Sequence, residues 1–288
     1  MQETKHLAEY LALRVVAGIA NRLPYKAALG FGALHAWIAF HLLRFRTGGA
    51  MRRIAQVFGD RLSHREMRDI AWTSWRNIVF NGIEMMRIPH LTRAWAEQAG
   101  DCQEFLSVMK AHLASTGRGA IIACPHMGSW EMSLIISHLH GLPIFTIGAR
   151  QKNPLVNAYI ERLRESPGIE VLERGSGTMR QVIQRLRHGH ILGILPDVRV
   201  PGDGILTPFL GGEANIGKGM AMFAIHTGVP VFLAVVTRHD WIRHRISVLG
   251  PVWPDPKMEK EADARRITTA IMGMIDDAIR QDPGQWFW

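Results

Sequence analysis

Gly119-Ala-Ile-Ile-Ala-Cys-Pro-His-Met-Gly-Ser-Trp-Glu131 is the stretch on which the reading of this chain turns. Ala120–Ala123 is a short, unbroken apolar run, the mark of a strand buried on both faces. Pro125 and Gly128 break it, and Ser129 is a good N-cap for a helix carrying Glu131 in its first turn. His126 is therefore predicted in the turn between strand and helix. Residues five apart on one ideal helix point about 140° away from each other, so His126 and Glu131 meet only if the histidine precedes the helix. In that arrangement the imidazole is a candidate general base and Glu131 the carboxylate that orients it. Spacing alone does not separate this from a turn histidine that is merely hydrogen bonded beside an ordinary first-turn acid.

Outward from this stretch the pattern repeats. Short β-rich runs at Ile144–Ile147, Ile191–Leu195, Val231–Val236 and Arg245–Leu249 alternate with helical stretches, and a last helix is predicted over Glu259–Gln281. Such alternation predicts an α/β fold with a mostly parallel central sheet flanked by helices. Residues 5 to about 100 read instead as helices, with Ser63-His-Arg-Glu66 as a capping box. The expected organisation is a helical region, 1–100, joined to an α/β core, 101–288, as one structural unit.

The chain has 288 residues, enough for a sizeable core. Its 34 Lys and Arg against 25 Asp and Glu give a net charge of +9 and point to an anionic partner. No recognition helix, zinc-finger spacing or aromatic-basic RNA motif accompanies that charge, so nucleic acid is not an expected partner. The two cysteines, Cys102 and Cys124, do not make a disulfide framework, and Cys124 falls in the predicted strand. Glu9 and Arg14 interrupt the first apolar stretch, which is wrong for a cleaved leader. Residues 27–43 carry no Lys, Arg, Asp or Glu, just short of the roughly 20 apolar residues a membrane span needs. With Arg44, Arg46, Arg52 and Arg53 following, the segment reads as interfacial, with a short span and a soluble core helix as competing readings. The aromatic run Trp286-Phe287-Trp288 either anchors at an interface or packs.

Other candidates lie past strand ends, where open α/β sheets build their sites. These are Arg150 in Arg150-Gln-Lys-Asn-Pro154 and Asp197 in Leu195-Pro-Asp197. Gly212-Glu-Ala-Asn-Ile-Gly-Lys218 fits most of a P-loop, but Gly219 stands where a hydroxyl would ligate magnesium, which excludes nucleotide hydrolysis. It is read as a glycine-rich loop opening a helix at Gly219, with Lys218 offered to an anion. Arg174-Gly-Ser-Gly-Thr178, before a helix, could hold a phosphate on its free amides, but a lone Gly-Ser-Gly is read first as a plain loop. Glu131 and His138 share a helix face, but no zinc spacing accompanies them, so no metal is expected. Cys124, in an apolar strand, is read as core rather than nucleophile.

In order along the chain, His-x-Gly-x-Trp-Glu at 126–131, Arg-x-Lys-Asn-Pro at 150–154, Leu-Pro-Asp at 195–197, Thr-Pro-Phe-Leu-Gly at 207–211 and Thr-Gly-Val-Pro-Val at 227–231 resemble the lipid A biosynthesis acyltransferases, within the wider glycerolipid acyltransferase group. Arg52-Arg53, Trp75-Arg-Asn77 and Glu84 are similar too. The resemblance implies an enzyme at the cytoplasmic face of the inner membrane. Its acyl chain would pass from a thioester, on acyl carrier protein or coenzyme A, to a hydroxyl of a lipid A precursor or related anionic glycolipid or phospholipid, with no cofactor beyond the thioester. His126 would be the base and Glu131 its partner, with Arg150, Asn153, Asp197, Lys218 and the amides near Gly128 binding substrate. A phosphatidylinositol mannoside or other lysolipid acyltransferase is the alternative, and a catalytically silent lipid-binding protein the non-enzymatic one.

Overall fold

The structure, a computed structural model, describes residues 2–148 and 150–288. Four helices lead: α1 (Gln2–Arg22), α2 (Tyr25–Trp37), α3 (Thr47–Phe58) and α4 (His64–Arg87). The Ser63 capping box starts α4, with both of its hydrogen bonds formed. Then come α5 (Arg93–Ala99), β1 (Gly100–Asp101), α6 (Gln103–Thr116), β2 (Ala120–Ala123), α7 (Trp130–Leu139), β3 (Ile144–Gly148), α8 (Pro154–Glu165), β4 (Glu170–Glu173), α9 (Thr178–Arg187) and β5 (Ile191–Ile194). The chain continues through β6 (Ile205–Phe209), β7 (Gly212–Ile216), α10 (Gly219–Thr227), β8 (Val231–Arg238), β9 (His244–Val252) and α11 (Lys260–Gln281).

Seven strands form one sheet in the order β1-β9-β8-β2-β5-β3-β4. The five from β8 to β4 are mutually parallel, and β9 reverses against β8, carrying β1 with it. The strand at the centre, β2, is buried along its whole length. Its Ile121 and Ala123 face the core beneath α10 and α11, where Ile267, Ile271, Ile275 and Ile279 line up one helical turn apart. Ala120 and Ile122 face the opposite core beneath α6 and α7, with Phe105, Met109, Met132 and Ile136. Helices on both faces explain why β2 reads as a continuous apolar run.

The strands β1, β4, β6 and β7 are absent from the sequence reading. The glycine-rich loop expected before Gly219 is a hairpin, β6 paired antiparallel to β7, with Thr207 opposite Ala214. Pro208 hides this strand in the sequence, and it is tolerated because the ribbon has only two strands, both edges. The edge strand β4 also escaped, since it pairs only with β3 and three of its four residues are not buried. Residues 27–43, read as interfacial, do not form one straight helix, although together with Thr47–Arg61 they are long and apolar enough for a broken span or a re-entrant loop. The helix α2 ends at Trp37, widens into a π-helical turn over Ile38–Leu42, and bends by 80° into the next helix. Among the described residues no single helix is long and apolar enough to cross a membrane. One face of α2, with Ala28 and Leu29, packs on Phe80 and Ile83 of α4. Leu34 and Trp37 on its other side, and Leu42, Leu43 and Phe45 just beyond it, are exposed.

Candidate active site

The register of the sheet builds the site. Ala123 of β2 pairs with Ile194 of β5, and Cys124 N donates to Ile194 O at 2.9 Å. His126 and Asp197 each stand three residues beyond that matched pair, on neighbouring strand ends, so two parallel strands deliver them to the same place. From here β2 leads on to β3 on one side and β5 on to β8 on the other. This is the switch in strand order at which open α/β sheets leave a crevice.

There the expected pairing is corrected. The carboxylate on the imidazole is Asp197, not Glu131. Nδ1 of His126 donates to Asp197 Oδ1 at 2.8 Å, and the His126 backbone N–H donates to Oδ2 at 2.8 Å. The Asp197 side chain is 1% exposed and the His126 side chain 24%. Asp197, expected at the substrate, is engaged by His126 instead. Glu131, in the first turn of α7, is turned to Arg164 of α8 and held by a two-point ion pair, Nε to Oε2 at 3.2 Å and Nη2 to Oε1. A first-turn carboxylate is anchored where the helix points it, and Arg164 outbids a neutral imidazole for it.

The turn itself is fastened from below. Gly128 has φ +53°, and a Cβ there would meet Val236 O at 2.6 Å, so only glycine fits. Its N–H donates to Gln285 O and its carbonyl accepts from Asn81 Nδ2, so among the amides near Gly128 this one is already engaged. Ser129 heads α7 but caps nothing. Its hydroxyl donates to Glu84 Oε2 at 2.7 Å. Glu84 also takes both terminal nitrogens of Arg238 at 2.7 Å and the Tyr25 hydroxyl at 2.9 Å. His244 stands 3.4 Å away without the alignment of a hydrogen bond. Burial alone would raise the Glu84 carboxyl, yet Arg238 and His244 hold it well below the usual carboxylate range.

His126 opens on a cavity of 570 Å³. Ile122, Leu134, Ile144, Ala234 and Ile246 line it on the face of the sheet covered by α6 and α7, and Glu131, Arg164, Gln151 and Arg174 make its polar side. Cys124 borders it too, but burial first, with the charge of Asp197 adding, pushes its thiol up to about 12. The structure keeps Arg150 exposed at a second, polar cavity that shares Gly148, Gln151, Arg164 and Arg174 with the first. Two other candidates lie elsewhere. Asn153 is the buried N-cap of α8, accepting from Leu155 N and giving its amide to His6 O and Glu9. Lys218 reaches away to Asp203 at 3.0 Å and Glu261 at 3.2 Å, and does not line the cavity.

Sequence reasoning missed Arg164, for which a helical arginine gives no signal, and Trp286. Trp286 and Trp288 of the aromatic run pack, while the Phe287 ring stays exposed; Trp286 Nε1 donates to Asp197 Oδ2 at 2.9 Å, and Phe287 N donates to His126 O at 3.1 Å.

A histidine–carboxylate pair thus stands at the mouth of an apolar cavity, on the strand ends of a helix-flanked sheet. The chain belongs to the family described as bacterial lipid A biosynthesis acyltransferase, whose match runs over residues 1–288. It is also similar to proteins named phosphatidylinositol mannoside acyltransferase. Those of two Mycobacterium tuberculosis strains, CDC 1551 / Oshkosh and H37Rv, are 30% identical over 210 residues, 70% of this chain. That of Mycolicibacterium smegmatis is 26% identical over 177 residues, 59% of this chain. The matched stretch spans 63% of the length of the first two and 55% of the third.

Proposed function

We propose that this protein is an O-acyltransferase that moves a fatty acyl chain directly from a thioester to a hydroxyl of a membrane glycolipid, with no covalent acyl-enzyme. The observation that carries this reading is His126 fixed through Nδ1 by the buried Asp197, with its other ring nitrogen left for substrate at the mouth of an apolar cavity. The alkyl chain lies among Ile122, Leu134 and Ile144, which places the thioester carbonyl near the imidazole. Nε2 takes the proton of the acceptor hydroxyl as its oxygen attacks that carbonyl. The oxyanion is met by the first-turn amides of α7, which no side chain caps, and by Arg164. As the tetrahedral intermediate collapses, the thiolate leaves and takes the proton from the imidazolium, giving ester and free thiol. Asp197 stabilises the imidazolium throughout without itself taking the proton. Glu131 acts through Arg164, keeping that guanidinium at the cavity. The donor is acyl carrier protein or acyl coenzyme A, both of which suit a basic protein.

For the acceptor, the family favours a lipid A precursor, and the names of the mycobacterial relatives favour a phosphatidylinositol mannoside. Exposed Leu34, Trp37, Leu42, Leu43 and Phe45, beside Arg44 and Arg46, support docking on an anionic bilayer, at the cytoplasmic face of the inner membrane. The test is acyl transfer from a thioester by purified protein and by His126→Ala. The variant is expected to lose about 10²- to 10⁴-fold in rate, and an unchanged rate overturns the mechanism. Mass spectrometry of the lipids changed by expressing the protein names the acceptor.

A further inference from the structure

Asp197 sits on a loop beyond β5 with no helix behind it, yet its carboxylate must stay in the plane of the His126 ring. Oδ1 is engaged by the imidazole, and Oδ2 by two donors, the His126 backbone N–H at 2.8 Å and the Trp286 indole at 2.9 Å. The backbone donor belongs to the same residue as the ring and cannot fix Asp197 independently of it. Trp286 can, because it is fastened to other parts of the molecule. Its carbonyl accepts from Ser74 Oγ of α4 at 2.6 Å, and its ring meets Phe209 at 5.9 Å and Trp288 at 4.8 Å, edge to face. Residues 285–287 run antiparallel along the catalytic turn, with Gly128 N donating to Gln285 O and Phe287 N to His126 O. Trp288 closes the strap, donating through Nε1 to Pro283 O at 2.7 Å and through its backbone N–H to Ser74 Oγ.

We propose that Trp286 is a positioning residue of the reaction: its indole N–H locks the Asp197 carboxylate, and through it the tautomer and tilt of His126, and ties the site to α4. The role rests on the acyltransferase reading, in which His126 is the base. It does not require Trp286 to touch substrate. Trp286→Phe removes the donor and leaves one lone pair of a buried carboxylate without its partner. Replacement by the isosteric benzothienylalanine removes the N–H while keeping the ring and its packing.

Two readouts test this. The chain has 9 tryptophans, so the Trp286 indole resonance is assigned in a ¹H–¹⁵N spectrum by its loss in Trp286→Phe. It is expected downfield and to move in Asp197→Asn; a resonance indifferent to that change overturns the proposal whether or not the protein transfers acyl groups. In kinetics, both Trp286 replacements are expected to lower kcat about tenfold, the rate equivalent of one charge-assisted hydrogen bond, with the thioester KM unchanged. In an Asp197→Asn background the Trp286→Phe change is expected to add less than about twofold, because the two act as one unit. A benzothienylalanine protein with full kcat, or losses that simply add in the double variant, overturns the role. A wild type that transfers no acyl group sinks the acyltransferase reading instead, and the indole resonance still tells whether the lock exists.

Discussion

Two carboxylates are buried beside the turn at 126–129, and they face opposite kinds of cation. Glu84 meets Arg238, with both side chains essentially sealed, 0% and 2% exposed. Asp197 is sealed equally well, but it meets a histidine whose ring stays 24% exposed at the cavity. Arginine cannot release its proton, so the Glu84 pair is a fixed charge that holds structure. An imidazole, unlike a guanidinium, can take up and release a proton, so in the proposed reaction the Asp197 pair is the place where a proton arrives and leaves. One strand–turn–helix unit therefore hangs between a permanent ion pair beneath it and a switchable one at its mouth. Glu131 and Arg164 form a third pair, of the permanent kind, but placed on the cavity wall.

The sharpest way to break this contrast is to compare the carboxylates by amide substitution. Asp197→Asn keeps the shape but offers His126 Nδ1 the wrong partner, and is expected to reduce kcat by about 10²- to 10⁴-fold with the fold intact. Glu131→Gln loosens Arg164 and is expected to cost less, about tenfold, since one charged hydrogen-bonding group is weakened rather than the base disabled. Steady-state rates on the two variants decide it; a larger loss for Glu131→Gln would return Glu131 to the role that sequence spacing first assigned it.

Glu84 should show the reverse profile, a cost in stability. Glu84→Gln leaves Arg238 buried without its counter-charge and is expected to destabilise by about 3–5 kcal/mol. The pH dependence has a definite sign. Because the folded-state carboxyl lies well below its ordinary value, the pair contributes fully above the unfolded pKa of about 4.3. That contribution is lost as pH falls from there towards the folded value. Denaturant unfolding of wild type and Glu84→Gln from pH 3 to pH 7 should therefore give a gap that is constant above about pH 5 and narrows below it. A gap that widens in acid would mean that Glu84 is protonated in the folded protein.

These pairs also mark what could be read in advance. The strand–turn–helix at Gly119–Glu131, the alternation that follows and the Ser63 capping box are local patterns, and all are present. The meeting of His126 with Asp197 is not local, since 71 residues separate them. It follows only from the pairing of β2 with β5, and the equal three-residue offset past Ala123 and Ile194 becomes a signal once that register is known. Glu131 misled because nearness in sequence is a poor substitute for nearness in space: Arg164, on a different helix, claims it. Lys218 does not reach the cavity: the glycine-rich motif before it folds into the second strand of a hairpin, and its ammonium joins Asp203 and Glu261. The aromatic run could not be placed without the tertiary fold, because packing and membrane anchoring ask for the same residues.

The smallest expected effect concerns a third buried group, Cys124, which borders the same cavity two residues before His126. A covalent mechanism would need its thiolate, and thiolates form where a positive charge or a helix end favours them. Here the thiol is enclosed and faces the negative Asp197, and with its pKa pushed up to about 12 it stays protonated at any working pH. The other thiol, Cys102, is buried as well and likewise raised, first by burial and then by Asp101. A thiol reagent at pH 8 should therefore react with the folded protein far more slowly than with the unfolded chain. Cys124→Ala should keep kcat within about threefold, a packing change and nothing more. Rapid loss of activity on alkylation of Cys124, or an inactive Cys124→Ala that still folds, would replace direct attack by the acceptor hydroxyl with an acyl-cysteine intermediate, and the His126–Asp197 pair would then serve a thiol before it serves a lipid.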